Sequence, residues 1–116
     1  VGDVMKKKDM IPLIKDDQKV SEAILEMTSK GEGCVGVISK KGVLKGIITD
    51  GDLRRHMSPN LLKKKVTEIM TKKPKTLSIE TSVSDAVKLM NKQSITNYFI
   101  TKKMKPLGII HLHDIL

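Results

Sequence analysis

Apolar residues along the chain fall into two rhythms. Over 20–30, Val20, Ala23, Ile24 and Met27 recur at helical spacing, and Gly31 follows as a stop. The run Cys-Val-Gly-Val-Ile at 34–38 is short and apolar, as a strand is, and Lys40-Lys41-Gly42 makes a turn after it. Residues 44–49 predict a second strand and 50–57 a short helix; a short extended piece at 11–14, punctuated by Pro12, precedes them all. The remainder repeats this order. Ser82, with Asp85 three residues on, resembles a cap for a helix over 83–92. Strands are expected over 97–101 and 107–111, and Asp114 opens a last helix that the chain barely enters.

This parallel extends to the residues themselves. Val-Gly-Asp-Val-Met at 1–5 matches Val-Thr-Glu-Ile-Met at 66–70. Val-Ser-Glu-Ala-Ile-Leu-Glu-Met at 20–27 matches Val-Ser-Asp-Ala-Val-Lys-Leu-Met at 83–90, and Gly-Ile-Ile-Thr-Asp-Gly-Asp at 46–52 matches Gly-Ile-Ile-His-Leu-His-Asp at 108–114. Three blocks in one order mark an internal duplication. The expected organisation is a first repeat at 1–57, a linker at 58–65 with turn chemistry and a charge run, and a second repeat at 66–116. Each repeat offers one small three-stranded sheet with a single apolar face, too little to stand alone. The fold class expected is α/β (α+β): two β-α-β-β-α repeats packed with pseudo-twofold symmetry, with seven methionines filling in for scarce aromatics.

Composition narrows the function. Among 116 residues, 39% are hydrophobic, but no apolar run nears the roughly 20 residues of a membrane-spanning helix, so no membrane role is expected. A lone cysteine, Cys34, excludes an internal disulfide framework and fits a reducing, cytoplasmic setting. The chain opens Val-Gly-Asp, without a basic-then-apolar signal, and reads as a piece of something longer. The net charge of +9 reads either as a lysine-rich solvated surface or as a match for an anionic partner. Nucleic acid is the weaker anion here: the only aromatics are adjacent Tyr98 and Phe99, the lysines are scattered, and no helix-turn-helix or zinc-finger pattern accompanies them.

A tandem β-α-β-β-α unit with Gly-hydrophobic-hydrophobic-Thr-x-x-Asp at its last strand-to-helix turn resembles the cystathionine-β-synthase (CBS) domain pair, or Bateman module. Residues 46–52 fit that motif fully; residues 108–114 fit it with His111 in place of the hydroxyl residue. The stretches 46–55 and 107–116 also resemble the CBS pair of D-arabinose 5-phosphate isomerases. In that family a sugar-isomerase (SIS) domain, which these 116 residues do not contain, precedes the pair and converts ribulose 5-phosphate to arabinose 5-phosphate for lipopolysaccharide or capsule sugars. The resemblance implies a homodimer through CBS pairs, and a tetramer in the full-length enzyme.

The cations are sorted in a way that needs no family to interpret. Both arginines, Arg54 and Arg55, and all three histidines, His56, His111 and His113, lie in the two equivalent turns, while twenty lysines scatter. Arginine offers a rigid fork suited to phosphate, and histidine a donor whose charge changes near neutral pH. A carboxylate in a first helical turn can accept two ribose hydroxyls, and a threonine hydroxyl can donate to a phosphate. The resemblance implies the same: Thr49 and Asp52 would contact phosphate and ribose, Asp114 would hold ribose in the second half, and Gly33-Cys34 and Thr96-Asn97 would flank the ligand in a cleft between repeats. The expected ligand is a small phosphorylated molecule, an adenine or cytidine nucleotide or a nucleotide sugar, with no metal and no catalytic group.

Plainer readings stand beside these. Thr49, Asp52 and Asp114 are good helix caps. Arg54 and Arg55 can pair with acidic neighbours. His111, His113 and Asp114 could suggest a metal site but lack further ligands. Cys34 reads as a small buried apolar residue, and no nucleophile stands with a base. The competing function is a structural dimerisation module with degenerate sites.

Overall fold

In the computed structural model, which describes residues 1–112, the chain gathers into two compact units. They are cut differently from the repeats. One is Pro12–Pro74; the other joins Val1–Ile11 to Lys75–Leu116.

The Pro12–Pro74 unit runs β1 (Leu13–Lys15), α1 (Val20–Lys30), β2 (Cys34–Ile38), β3 (Leu44–Thr49), α2 (Asp50–Arg55), α3 (Val66–Ile69) and β4 (Thr71–Lys72). Its sheet has the order β1-β2-β3-β4, with β1 parallel to β2 and the other pairs antiparallel. Three strands were expected; the fourth follows directly on the opening block of the second repeat. The α1, β2 and β3 boundaries are those the periodicity predicts, whereas α2 ends at Arg55, short of the expected residue 57. Val20, Ala23 and Met27 of α1 pack on Val35, Val37 and Ile48, while Ile24 is only partly buried. The joining segment 58–65 is more than a linker. It holds a 3-10 turn at Leu61–Lys63 whose Leu61 is buried in this core, and such burial contributes about 1.5–3 kcal/mol. Backbone bonds strap it to the start of α1: Val20 N–H donates to the Lys64 carbonyl and Val66 N–H to that of Gln18, both at 2.9 Å.

The other unit runs β5 (Thr76–Ser78), α4 (Val83–Gln93), β6 (Asn97–Lys102) and β7 (Lys105–His111), in a sheet of order β5-β6-β7. The Ser82 hydroxyl caps α4 by accepting from Asp85 N–H at 3.1 Å. The core is Leu77, Ala86, Met90, Tyr98, Ile100 and Ile110, with Val1 and Met5 packed against it. Burial pushes the Tyr98 phenol above its ordinary range, and its hydroxyl donates to Gln93 Oε1. Residue 6 extends the sheet edge: Lys6 and Ile109 exchange N–H···O bonds of 2.8 and 3.0 Å.

Thus each opening block, 1–5 or 66–70, is lodged in the unit built around the other repeat's strands. The same contact fixes both. Met70 lies across Gly46 of β3, where a Cβ would stand 2.6 Å from its Sδ and 2.9 Å from the Thr71 carbonyl oxygen. Met5 lies across Gly108 of β7, where a Cβ would meet its Sδ and stand 2.7 Å from the Lys6 carbonyl oxygen. The first glycine of the repeated motif is therefore a matter of close backbone approach.

Candidate functional site

Thr49 ends β3 in extended conformation and becomes the N-cap of α2. Its hydroxyl accepts from Asp52 N–H at 3.3 Å, and the Asp52 carboxylate reaches back, so the capping box is closed. Oδ2 of Asp52 accepts from Thr49 N–H at 2.9 Å and from the Thr49 hydroxyl at 3.2 Å. Oδ1 accepts from the Thr71 hydroxyl of β4 at 2.8 Å and from the Arg55 guanidinium. A carboxylate has about four lone-pair positions, and here four donors occupy them. This satisfaction is what allows an ionisable side chain to be only 3% exposed. Arg55 itself is 65% exposed. It folds back over Gly51, where a Cβ would stand 3.2 Å from its Nη1. His56 N–H closes the helix on the Asp52 carbonyl at 3.1 Å, and Arg54 is exposed.

The second turn is described up to Leu112. Asn97 and His111 are direct antiparallel partners across β6 and β7, as Cys34 and Thr49 are across β2 and β3. Leu112 N–H donates to the Thr96 carbonyl at 2.7 Å, which draws the chain after β7 against the residue before β6. His111 is half-buried, and Cys34 is buried as expected. His113 and Asp114 lie outside the described residues, and so does the predicted last helix.

Of the residues singled out in the sequence, Thr49, Asp52 and Arg55 come together at the first turn, and Asn97 with His111 at the second. Among the described residues no side-chain hydrogen bond or ion pair joins Arg54 to the cluster. Thr71 was missed: the matching position in the first repeat is Lys6, so no hydroxyl recurs to mark it. Among the described residues no three His, Cys, Asp or Glu side chains are grouped to hold a metal ion. A depression of about 440 Å³ beside Thr76, Thr101 and Lys103 opens at the far end of β6 from Asn97, away from this chemistry.

The turns, strands and helices of this chain have counterparts in known proteins. The CBS domain family matches residues 1–59 and 66–116. A Rickettsia prowazekii protein, RP505, is 40% identical over 116 residues, and the arabinose 5-phosphate isomerase KdsD of Francisella tularensis is 34% identical over 119. Each alignment takes in 100% of this chain but 36% of the relative, so the chain spans about a third of the length of these relatives. Among solved structures, CBSX2 in complex with AMP has a TM-score of 0.83 at 21% identity, covering 98% of this chain and 90% of that one. The CBS domain pair of protein MJ0100, in complex with 5′-methylthioadenosine and S-adenosyl-L-methionine, has a TM-score of 0.84 at 24% identity, covering 99% and 90%. The CBS-domain protein ATU1752 of Agrobacterium tumefaciens reaches 0.84 at 21%, covering 99% and 94%. These likenesses bear on the fold: a mixed α+β chain with two small sheets.

Proposed function

The chain belongs to the CBS domain family, and from that premise we propose that it is the regulatory ligand-binding CBS pair of an arabinose 5-phosphate isomerase-like protein. It takes a phosphorylated nucleoside or nucleotide sugar at its strand-to-helix turns and modulates an attached cytoplasmic sugar-phosphate isomerase domain. The observation that carries this reading is the first turn. A buried carboxylate, a threonine hydroxyl and a mostly exposed arginine converge there, within a chain that confines its arginines and histidines to the two equivalent turns. Asp52, and Asp114 by position, would take ribose hydroxyls; Thr49, Arg54, Arg55, His111 and His113 would serve phosphate, with Asn97 flanking the second site. The adenosine compounds held by two structural relatives support a nucleotide as ligand class, and a cytidine nucleotide or its sugar conjugate is the feedback alternative.

A thermal-shift screen over AMP, ATP, CMP and CMP-sugars tests the proposal. A ligand that binds only the folded chain stabilises it by about 2.7 kcal/mol at a hundred times its Kd. One nucleotide class should raise the unfolding temperature in a saturable way, and Asp52→Ala should reduce its affinity roughly tenfold to a hundredfold.

A second reading, a dimerisation module, is favoured by apolar side chains that the Pro12–Pro74 unit leaves in solvent. Leu25 is 70% exposed, Met57 69% and Leu62 55%. The two readings are compatible. Dimerisation without any nucleotide shift would leave the structural role alone standing.

A further inference from the structure

Asp52 presents a problem to any ligand that would use it, because all of its acceptor positions are filled from within the chain. The four donors are not equivalent. Those on Oδ2 both belong to Thr49 and are part of the capping box that forms α2. Those on Oδ1 come from outside it: the Arg55 guanidinium and the Thr71 hydroxyl. Oδ1 is therefore the oxygen that can change partners while the helix stays capped.

We propose that Thr71 is a positioning residue that gates Asp52: a vicinal diol of a phosphorylated ligand takes Oδ1 only by displacing the Thr71 hydroxyl, so that ligand binding and the anchoring of β4 compete. This deepens the function proposed above and rests on it. The exchange balances in kind. Two donors leave Oδ1 and two hydroxyls of a diol replace them. Arg55, mostly exposed and free to swing, pairs with the ligand's phosphate. Thr71 has no such compensation. It belongs to a strand of two residues, paired to Gly46 and Ile47 of β3, and its side-chain bond to Asp52 ties that strand to the turn. Beyond it the chain passes through Lys73, held at φ 53°, and Pro74 before entering the other unit at Lys75. Loss of the Thr71 bond thus loosens the last anchored residues before the chain leaves the unit. By linkage, whatever loosens β4 must favour the ligand to the same extent.

The test uses the full chain, with AMP and CMP as probes. Thr71→Val keeps the shape and removes the competing donor; Thr71→Ser restores it. Thr71→Val should bind the accepted nucleotide about fivefold to tenfold more tightly while unfolding at lower temperature, a pair of opposite signs that a merely structural threonine would not produce. Thr71→Ser should return both values toward the parent. In the unsubstituted chain, the nucleotide should speed amide hydrogen exchange at Thr71 and Lys72 while protecting residues 49–52, a readout that needs no variant to fold. If the nucleotide binds and Thr71→Val weakens or leaves its affinity unchanged, or if β4 becomes more protected, the gate is wrong and the ligand-binding function stands. If neither the parent nor Thr71→Val binds AMP or CMP, the gate and the nucleotide reading both fall.

Discussion

The two units share one lock and differ in the turns around it. In both, a methionine from an opening block lies across a glycine in the strand that leads to the strand-to-helix turn, Met70 on Gly46 and Met5 on Gly108. In both, the next residue joins the sheet edge: Thr71 pairs with Ile47, and Lys6 with Ile109. Around this common feature the chemistry parts. Thr49 stands where the other unit has His111, Cys34 where it has Asn97, and a glycine turn between β2 and β3 where β6 and β7 meet at Lys103 and Met104. The repeated part is the part that decides which segments pack together. The parts that diverge are the strand-to-helix turns and the hairpins that flank it.

The largest effect follows from the lock. Cutting at the repeat boundary separates each opening block from the glycine it covers. Residues 1–60 alone keep Gly46 but lose Met70, Val66 and Ile69, two of which belong to the core. That fragment should show no cooperative heat transition, whereas residues 12–74, which keep every contact of their unit, should show one. A sharp transition from 1–60, or none from 12–74, would break the assignment of segments to units.

Within the intact chain the same lock predicts matched losses. Gly46→Ala and Gly108→Ala each place a Cβ against a methionine sulfur and a backbone carbonyl oxygen, at 2.9 Å from Thr71 and 2.7 Å from Lys6 respectively. The sulfur can move but the carbonyl belongs to a paired residue, so each change should cost about 2–3 kcal/mol in urea unfolding. Adding Met70→Ala to Gly46→Ala should recover little. Full recovery would mean that the sulfur, and not the backbone, sets the requirement for glycine.

The local pattern revealed far more of the molecule than the long-range pattern did. The spacing of Val20, Ala23 and Met27 and the run 34–38 gave elements whose ends the structure keeps, because each is bounded by its own turn residues. The four-residue α3, the two-residue β4 and the buried Leu61 were not legible. These pieces are too short for periodicity to register, and they are held by contacts with residues distant in sequence. The first turn divides the same way. Thr49 and Asp52 announce a cap or a ligand site equally well, and they do form a capping box. What sequence could not supply was Thr71, which reaches Asp52 from 19 residues away and fills the last acceptor position.

The hairpins offer a smaller contrast. Gly42 takes φ 85° between β2 and β3, a conformation that costs a side chain roughly 1–2 kcal/mol. The other hairpin turns on Lys103 at φ 52° and Met104 at φ 63°, without glycine. Gly42→Ala should therefore destabilise by about 1 kcal/mol, while Met104→Gly should stabilise by about 0.5–1 kcal/mol in the same urea titration. Loss of stability in both would show that Met104 contributes contacts outweighing its backbone strain.

The smallest effect separates the units by pH. Tyr98 is the chain's one tyrosine and is 1% exposed; its counterpart in the other unit is Val35, which cannot titrate. Burial raises the Tyr98 phenol above its ordinary value of 10.0. An unfolded tyrosine loses its proton near pH 10, whereas the folded one keeps it to higher pH. The neutral form is thus favoured by folding. The stability this confers is whole below about pH 10 and is lost as pH rises through the folded value, where the unfolded state holds fewer protons than the native state. The effect is read as a difference between the parent and Tyr98→Phe, which differ in this one group. That variant should be less stable by about 1 kcal/mol at neutral pH for want of the bond to Gln93, and the gap should narrow above pH 10. Tyrosinate absorbance follows the same single group and should rise late, together with faster hydrogen exchange in β6 and not in β2. An absorbance midpoint at the ordinary phenol value, or equal loosening of β2, would mean that Tyr98 is wetter than its packing against Leu77, Met90 and Ile110 allows.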